Sequence, residues 1–308
     1  MAALFASFRR RRAAAAIGLV LIALALAALP FALAGIGTAW VRILDLAILF
    51  ALLALGLNIV VGFAGLLDLG YIAFYAVGAY CYALLASPHF GLALPFWVIL
   101  PIGALVACIF GVLLGAPTLK LRGDYLAIVT LGFAEIFRLV IQTAQIGSAT
   151  ETVGDAWRNA HGAGGIFHVL SVAISSLGGQ NGYQGLHNAG VPLYAGPFWV
   201  FGLTLGFGLL AWRIKFSGWG RALRALREDE IAAAAVGVDP TRYKVTSFVI
   251  AAVGGGVAGG LMALSRDGSP VVSPENFGFQ LSFDAITMVI LGGSGSVSGA
   301  VLGGLLVT

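Results

Sequence analysis

The sequence predicts an all-α integral membrane protein, a polytopic helical bundle of about 8–9 transmembrane segments with short re-entrant or broken helices. Three observations predict it. First, the 308 residues are 60% hydrophobic and only 10% charged, against roughly 25% charged in an ordinary soluble domain, and the mean hydropathy is +0.99. A soluble fold must present a wettable surface, and this composition cannot supply one. Second, the apolar stretches are long and continuous. A membrane barrel would alternate polar and apolar residues in segments of about 10. Helices, which satisfy their own backbone in lipid, are therefore the expected elements. Third, the basic residues are confined to a few segments, the pattern of a chain threaded back and forth across a bilayer.

Taken in order, a basic N-terminus (1–12, with Arg9, Arg10, Arg11 and Arg12) precedes an apolar run from Ala13 to Phe31. Ala32-Leu33-Ala34 resembles a signal-peptidase site. The run of roughly 19 residues exceeds the 7–15 of a cleaved signal, so an uncleaved first helix is expected. From residue 13 to 308 the chain reads as one transmembrane domain, with helices near 13–36, 43–67, 69–87, 94–116, 125–146, 192–214 and 246–265. A shorter apolar stretch covers 281–292, and a last one begins at Ser296. That last run is too short to span at about 20 residues per crossing, so the natural chain is expected to continue past Thr308.

With the N-terminus inside, 13 of the 17 Lys and Arg residues fall on the inner side. They are Arg9 to Arg12, Lys120, Arg122, Arg213, Lys215, Arg221, Arg224, Arg227, Arg242 and Lys244. Arg42, Arg158 and Arg266 fall outside, and Arg138 inside a helix. This excess supports the helix count and the orientation together. The net charge of +4 then reflects topology and the anionic lipid surface rather than nucleic acid, for which no basic-aromatic module is present. Cys81 and Cys108 lie in apolar runs, where small buried hydrophobes are expected. The four histidines show no metal-ligand spacing.

Two segments are not membrane-like. Residues 147–191 form an outer loop rich in Gly, Ser, Asn and His, whose middle, Gly165 to Leu177, is compatible with an amphipathic surface helix. Residues 213–245 form an inner loop with a helical core over 221–236, closed by Gly237 at the C-cap glycine position with Pro240 beyond it. This helix is either a solvated connector or a docking helix for a cytoplasmic partner, and Arg221, Arg224, Arg227, Glu228, Asp229, Glu230 and Gly237 are its candidate docking residues. No GxxxxGK[ST] loop occurs, so the chain is not expected to hydrolyse ATP by that route. No catalytic pair or metal cluster stands out, and no enzymatic activity is expected.

Within the spans Glu135 and Arg138 share a helix face at i, i+3 and are expected to pair. Ionisable groups in spans face a bundle interior or a water-filled path, so the pair either braces its neighbours or lines a path. Asn58 reads as interhelical glue. Asp68 and Asp284 lie near span ends. Asn58, Asp68, Glu135, Arg138 and Asp284 are the candidate path or gating residues. Small residues four apart, as in Gly111/Gly115, Gly202/Gly206 and the Gly254–Gly260 cluster, predict close helix packing. Gly292-Gly293-Ser294-Gly295 predicts a turn or broken helix, with Gly292, Gly293 and Gly295 as candidate hinges.

Several segments resemble a known family. They are Leu57-Asn58-Ile59-Val60-Val61-Gly62, Gly65-Leu66-Leu67-Asp68-Leu69-Gly70-Tyr71, and Leu121-Arg122-Gly123-Asp124-Tyr125-Leu126-Ala127-Ile128-Val129-Thr130-Leu131-Gly132-Phe133 with Glu135. Further on come Leu226-Arg227-Glu228-Asp229-Glu230-Ile231-Ala232, Val272-Ser273-Pro274-Glu275 and Val289-Ile290-Leu291-Gly292-Gly293-Ser294-Gly295-Ser296. In order, from about residue 43 to the end, they are similar to the LivM-type permease subunits of branched-chain amino acid ABC importers. The resemblance implies a second related permease, two cytoplasmic ATP-binding subunits that hold ATP and Mg, and an extracytoplasmic binding protein, with this chain itself in a bacterial-type inner membrane. It also implies that the segment around 221–238 is the ATPase-docking loop, and that no cofactor resides in this chain. The family's Thr-Gly-Gly-x-Asn-Gly-like turn is displaced here to Leu177–Gly182, so 147–176 reads as an insertion. Permeases of the same type for urea, short amides or other amino acids remain open, as does an ion-coupled secondary transporter. The latter would need midplane ionisable groups, for which Glu135 and Arg138 are the candidates.

Overall fold

The computed structural model describes residues 38–86, 94–118, 124–143, 196–265 and 272–308, with isolated positions between 158 and 172. The helix expected at 13–36, the basic N-terminus and nearly all of the outer loop lie outside the described residues. Two compact units divide between Asp45 and Leu46, the second running from Leu46 to Thr308.

The described helices are α1 (Thr38–Asn58), which runs on as a π-helical turn at Ile59–Phe63, α2 (Ile72–Ala86), α3 (Phe96–Thr118), α4 (Asp124–Thr143), α5 (Gly196–Phe216), α6 (Gly218–Glu228), α7 (Glu230–Ala235) and α8 (Pro240–Ser265). A 3-10 turn at Pro274–Phe277 leads to α9 (Phe279–Gly292) and α10 (Val297–Val307). Among the described residues, five helices are long and apolar enough to cross a membrane: α1 with its π turn, α3, α4, α5 and α8. The remaining apolar helices are too short for a bilayer of about 30 Å at 1.5 Å per residue. α9 and α10 flank the glycine turn as expected, whereas α2, expected as a span over 69–87, is only 15 residues long.

α1 and α8 are the most buried of the five spans. α8 packs along α2 and α3, and the packing depends on glycine. A methyl group on Gly78 would overlap the carbonyl of Gly256, and one on Gly259 the carbonyl of Tyr75. In lipid, where apolar side chains gain nothing by hiding from the solvent, such backbone approach is a main source of helix association. Gly111 and Gly115 of α3 likewise meet Ala252 and Phe248 of α8. Gly202 and Gly206 do not follow the expectation, since no described atom lies within 4 Å of a methyl placed on either.

The structure corrects several boundaries. α2 begins at Ile72 rather than 69, because Gly65 adopts φ +70 and residues 64–71 run as an irregular connector. α8 begins at Pro240 rather than 246. Asp239 accepts from the amides of Thr241 (3.0 Å) and Arg242 (3.4 Å), and proline at the first helical position lacks only an amide that has no partner there. The single helix expected over 221–236 is two, divided at Asp229.

Candidate functional site

The polar segment between α5 and α8 is built by its caps. Ser217 accepts from Gly220 N at 3.2 Å and starts α6. Leu223 and Leu226 turn inward while Arg221, Arg224 and Glu228 stay exposed, so α6 is amphipathic and lies flat on the bundle. Asp229 is extended (φ −154), and its carboxylate accepts from Ile231 N and Ala232 N at 2.8 and 3.1 Å. The acidic side chain thus caps α7 instead of continuing α6, the competition that makes Asp a better cap than interior residue. Gly237, at φ +89, closes α7: Gly237 N donates to Ala234 O and Val238 N to Ala233 O, both at 3.0 Å. This is the paired Schellman arrangement, which needs the left-handed residue glycine supplies.

α6 rests on the place where α1 changes to the π turn. Leu223 packs with Ile59, Phe63, Ala64 and Ala211, and Trp219, Tyr243, Phe207 and Val297 surround them. Within this cluster four elements converge. Asn58, fully buried, donates Nδ2 to Ser296 O (3.2 Å) and accepts at Oδ1 from Gly295 N (2.9 Å). One turn on, a methyl on Gly62 would overlap that same Oδ1. Arg227 Nη1 donates to Gly62 O at 2.8 Å, and its methylenes lie over Gly65. Gly293 and Gly295 hold φ +92 and +82 in the turn between α9 and α10. The structure therefore joins residues from three separate groups of candidates: the docking residue Arg227, the path residue Asn58 and the hinge glycines.

The other candidates are placed as follows. Arg221 and Arg224 reach back to the last carbonyls of α5: Arg221 to Phe216 O (3.4 Å), Arg224 to Lys215 O (3.3 Å) and, within α6, to Gly220 O (3.3 Å). They satisfy acceptors that a helix C-terminus leaves open. Glu230 pairs with the nearly buried Lys244 of α8 at 2.8 Å. Asp284 accepts from Gln280 on its own helix at 3.1 Å.

Asp68 is buried in the 64–71 connector, where its Oδ1 accepts from Gly70 N at 2.9 Å. The connector is pinned to α4 by Leu69 N donating to Thr130 Oγ1 at 3.1 Å. Glu135 and Arg138 form the expected ion pair, with Nε within 3.0 and 3.1 Å of the two carboxylate oxygens and Nη2 also bonded to Oε1.

Sequence reasoning missed Gly62, Gly65, Ser296 and Lys244, which act through long-range contacts. It also missed Ile231 and Val236, which are 71% and 79% exposed on α7 and just after it. Two large aliphatic residues flanking an alanine run in a loop between charged segments were the signal available for the last two.

The family profile described as branched-chain amino acid transport system / permease component matches residues 39–308. The chain is 41% identical over 278 residues to the high-affinity branched-chain amino acid transport system permease protein LivM of Escherichia coli (strain K12), covering 86% of this chain and 61% of that protein. The LivM protein of Salmonella typhimurium is 39% identical over the same shares. The permease protein LivH of Salmonella typhimurium is 39% identical over 93 residues, 30% of this chain and 29% of that protein. The chain thus spans about three fifths of the length of the two LivM proteins. No solved structure matches it.

Proposed function

The chain belongs to the permease-component family of branched-chain amino acid transport systems, and from that premise we propose that it is one of two related permeases in an ATP-binding-cassette importer for branched-chain amino acids. Two separate cytoplasmic subunits bind ATP and Mg, and an extracytoplasmic binding protein delivers the amino acid. The second permease is of the LivH kind, since LivM and LivH proteins both resemble this chain. The membrane is a bacterial inner membrane, with the N-terminus and the α6–α7 pair on the inside, as the inner excess of Lys and Arg supports.

The observation that carries this reading is the seating of α6 on the π turn of α1 through Arg227 and Gly62. A solvated connector has no need of a charge-assisted bond into a membrane helix. A helix pair that passes on movement does. The ATPase subunits grip the outer side of α6–α7, and their closure shifts Gly62, and with it Asn58 and the Gly293–Gly295 turn. Those elements border the interface along which the amino acid passes.

Reconstitution of the complex in vesicles tests this. Labelled leucine accumulates only when both the binding protein and ATP are supplied. Accumulation in vesicles lacking the ATPase subunits would contradict it.

A further inference from the structure

α4 carries two charges in the middle of an apolar span, Tyr125–Gln142. The Glu135 and Arg138 side chains remain 41% and 23% exposed within the chain. Charges that face lipid are expensive, and ionisable groups in spans line aqueous or protein-filled space.

Arg138 also lines a narrow cleft between α2, α4 and the 3-10 turn. The rest of its wall is apolar: Ala73, Ala76, Tyr80, Phe137, Ile141 and Phe277. On the same turn Glu275 is exposed. An ion pair thus stands at the mouth of an oily slot, with an exposed carboxylate on the turn beside it.

This arrangement is complementary to one kind of molecule. Deepening the importer reading on which it rests, we propose that Glu135, Arg138 and the adjoining cleft form a transit site for a zwitterionic α-amino acid with an apolar side chain. The α-carboxylate takes the planar guanidinium of Arg138 in the place Glu135 now holds, a bidentate exchange of like for like. The released Glu135 accepts the α-ammonium. The aliphatic side chain enters between Phe137, Ile141 and Phe277 only once α2 and α4 part, since the cleft as it stands has a volume of about 10 Å³. A neutral amide such as urea brings no charges to replace the pair it must open, so breaking the pair goes uncompensated. The same geometry that admits leucine therefore rejects amides.

The test uses the full importer in vesicles with Cys81→Ala and Cys108→Ala, and Ala134→Cys as a reporter in the cleft wall. Maleimide labelling at position 134 is slowed by leucine by roughly tenfold, and left unchanged by leucinamide, isocaproate or urea. In the neutral double variant Glu135→Gln/Arg138→Gln, which leaves no lone charge, labelling without ligand and complex assembly persist. Leucine protection disappears, and ATP-driven leucine uptake drops roughly tenfold or more while ATP hydrolysis continues.

Equal protection by urea and leucine would overturn the assignment. So would protection that survives in the double variant, or wild-type uptake without any protection. Should the double variant fail to assemble, the ligand series on the Ala134→Cys protein decides alone. A wild-type complex that takes up no amino acid with ATP would instead sink the importer reading itself.

Discussion

The guanidinium of Arg227 donates to the carbonyl oxygen of Gly62 at 2.8 Å, across 165 positions of sequence. The carbonyl sits inside the π turn of α1. Such turns occur as single interruptions of α-helices, often at functional sites. Arg227 thus fastens a polar, exposed helix to an irregular point of a buried one. The next link is Asn58, which ties the start of that same turn to Gly295 and Ser296.

Replacing Arg227 by Gln removes the charge from this bond, which contributes about 1.5–3 kcal/mol when one partner is ionised. Arg227→Gln is expected to leave the ATPase subunits bound, because the outer face of α6–α7 is unchanged. Uptake per ATP hydrolysed falls roughly tenfold, and Arg227→Lys restores part of it. The ratio of leucine accumulated to phosphate released in vesicles measures this. Loss of ATPase co-purification would show Arg227 to be a docking contact instead.

Asn58 presents a stability test. Its amide satisfies one backbone donor and one backbone acceptor in the glycine turn. Asn58→Leu leaves both unmet, at about 1–3 kcal/mol each when buried. The thermal midpoint of the purified protein in detergent should drop by several degrees. Asn58→Asp keeps the acceptor for Gly295 N but loses the donor to Ser296 O, and should fall less if its charge is neutralised at low pH. A midpoint for Asn58→Leu equal to the wild type would mean the turn is held by other contacts.

Much of this was legible in local spacing. Glu135 and Arg138 pair because they sit at i, i+3, and Gly237 closes its helix because a left-handed residue was needed there. The turn at Gly293–Gly295 followed from glycine density. What was not legible depends on which way an element is rotated.

Arg227 reads as one of several exposed cations. It is drawn to Gly62 because Leu223 and Leu226 bury the neighbouring stripe of α6, and that burial is a tertiary fact. Asp229 reads as helix interior among strong helix formers, yet its side chain caps α7. Gly202 and Gly206 have the spacing of a packing motif, but spacing does not say which neighbour, if any, arrives.

The glycines make a paired prediction. Gly259→Ala places a methyl on the Tyr75 carbonyl and must push α8 off α2, so about 1–3 kcal/mol of overpacking is expected. Gly202→Ala and Gly206→Ala meet no described atom within 4 Å. They are expected to hold or raise stability by up to about 1 kcal/mol through helix propensity. Thermal midpoints of the three purified variants separate the cases, and a Gly259→Ala protein as stable as wild type would contradict the close approach of α2 and α8.

The outward side of the α6–α7 pair yields the last prediction. Glu230 is occupied by Lys244 and Arg224 by the end of α5, so these charges are partly spent on the chain itself. Ile231 and Val236 are not: both stand largely exposed, aliphatic side chains at the two ends of an alanine run. Interfaces concentrate their binding energy in a few desolvated anchors surrounded by a polar rim. Ile231→Asp and Val236→Asp should each weaken ATPase association by roughly tenfold or more, seen as loss of co-purification, because a carboxylate would have to be desolvated in an apolar pocket. Glu230→Gln should leave co-purification intact and instead loosen α7 from α8, lowering the thermal midpoint. If Glu230→Gln abolishes association while Ile231→Asp does not, the charged residues and not the aliphatic pair form the grip.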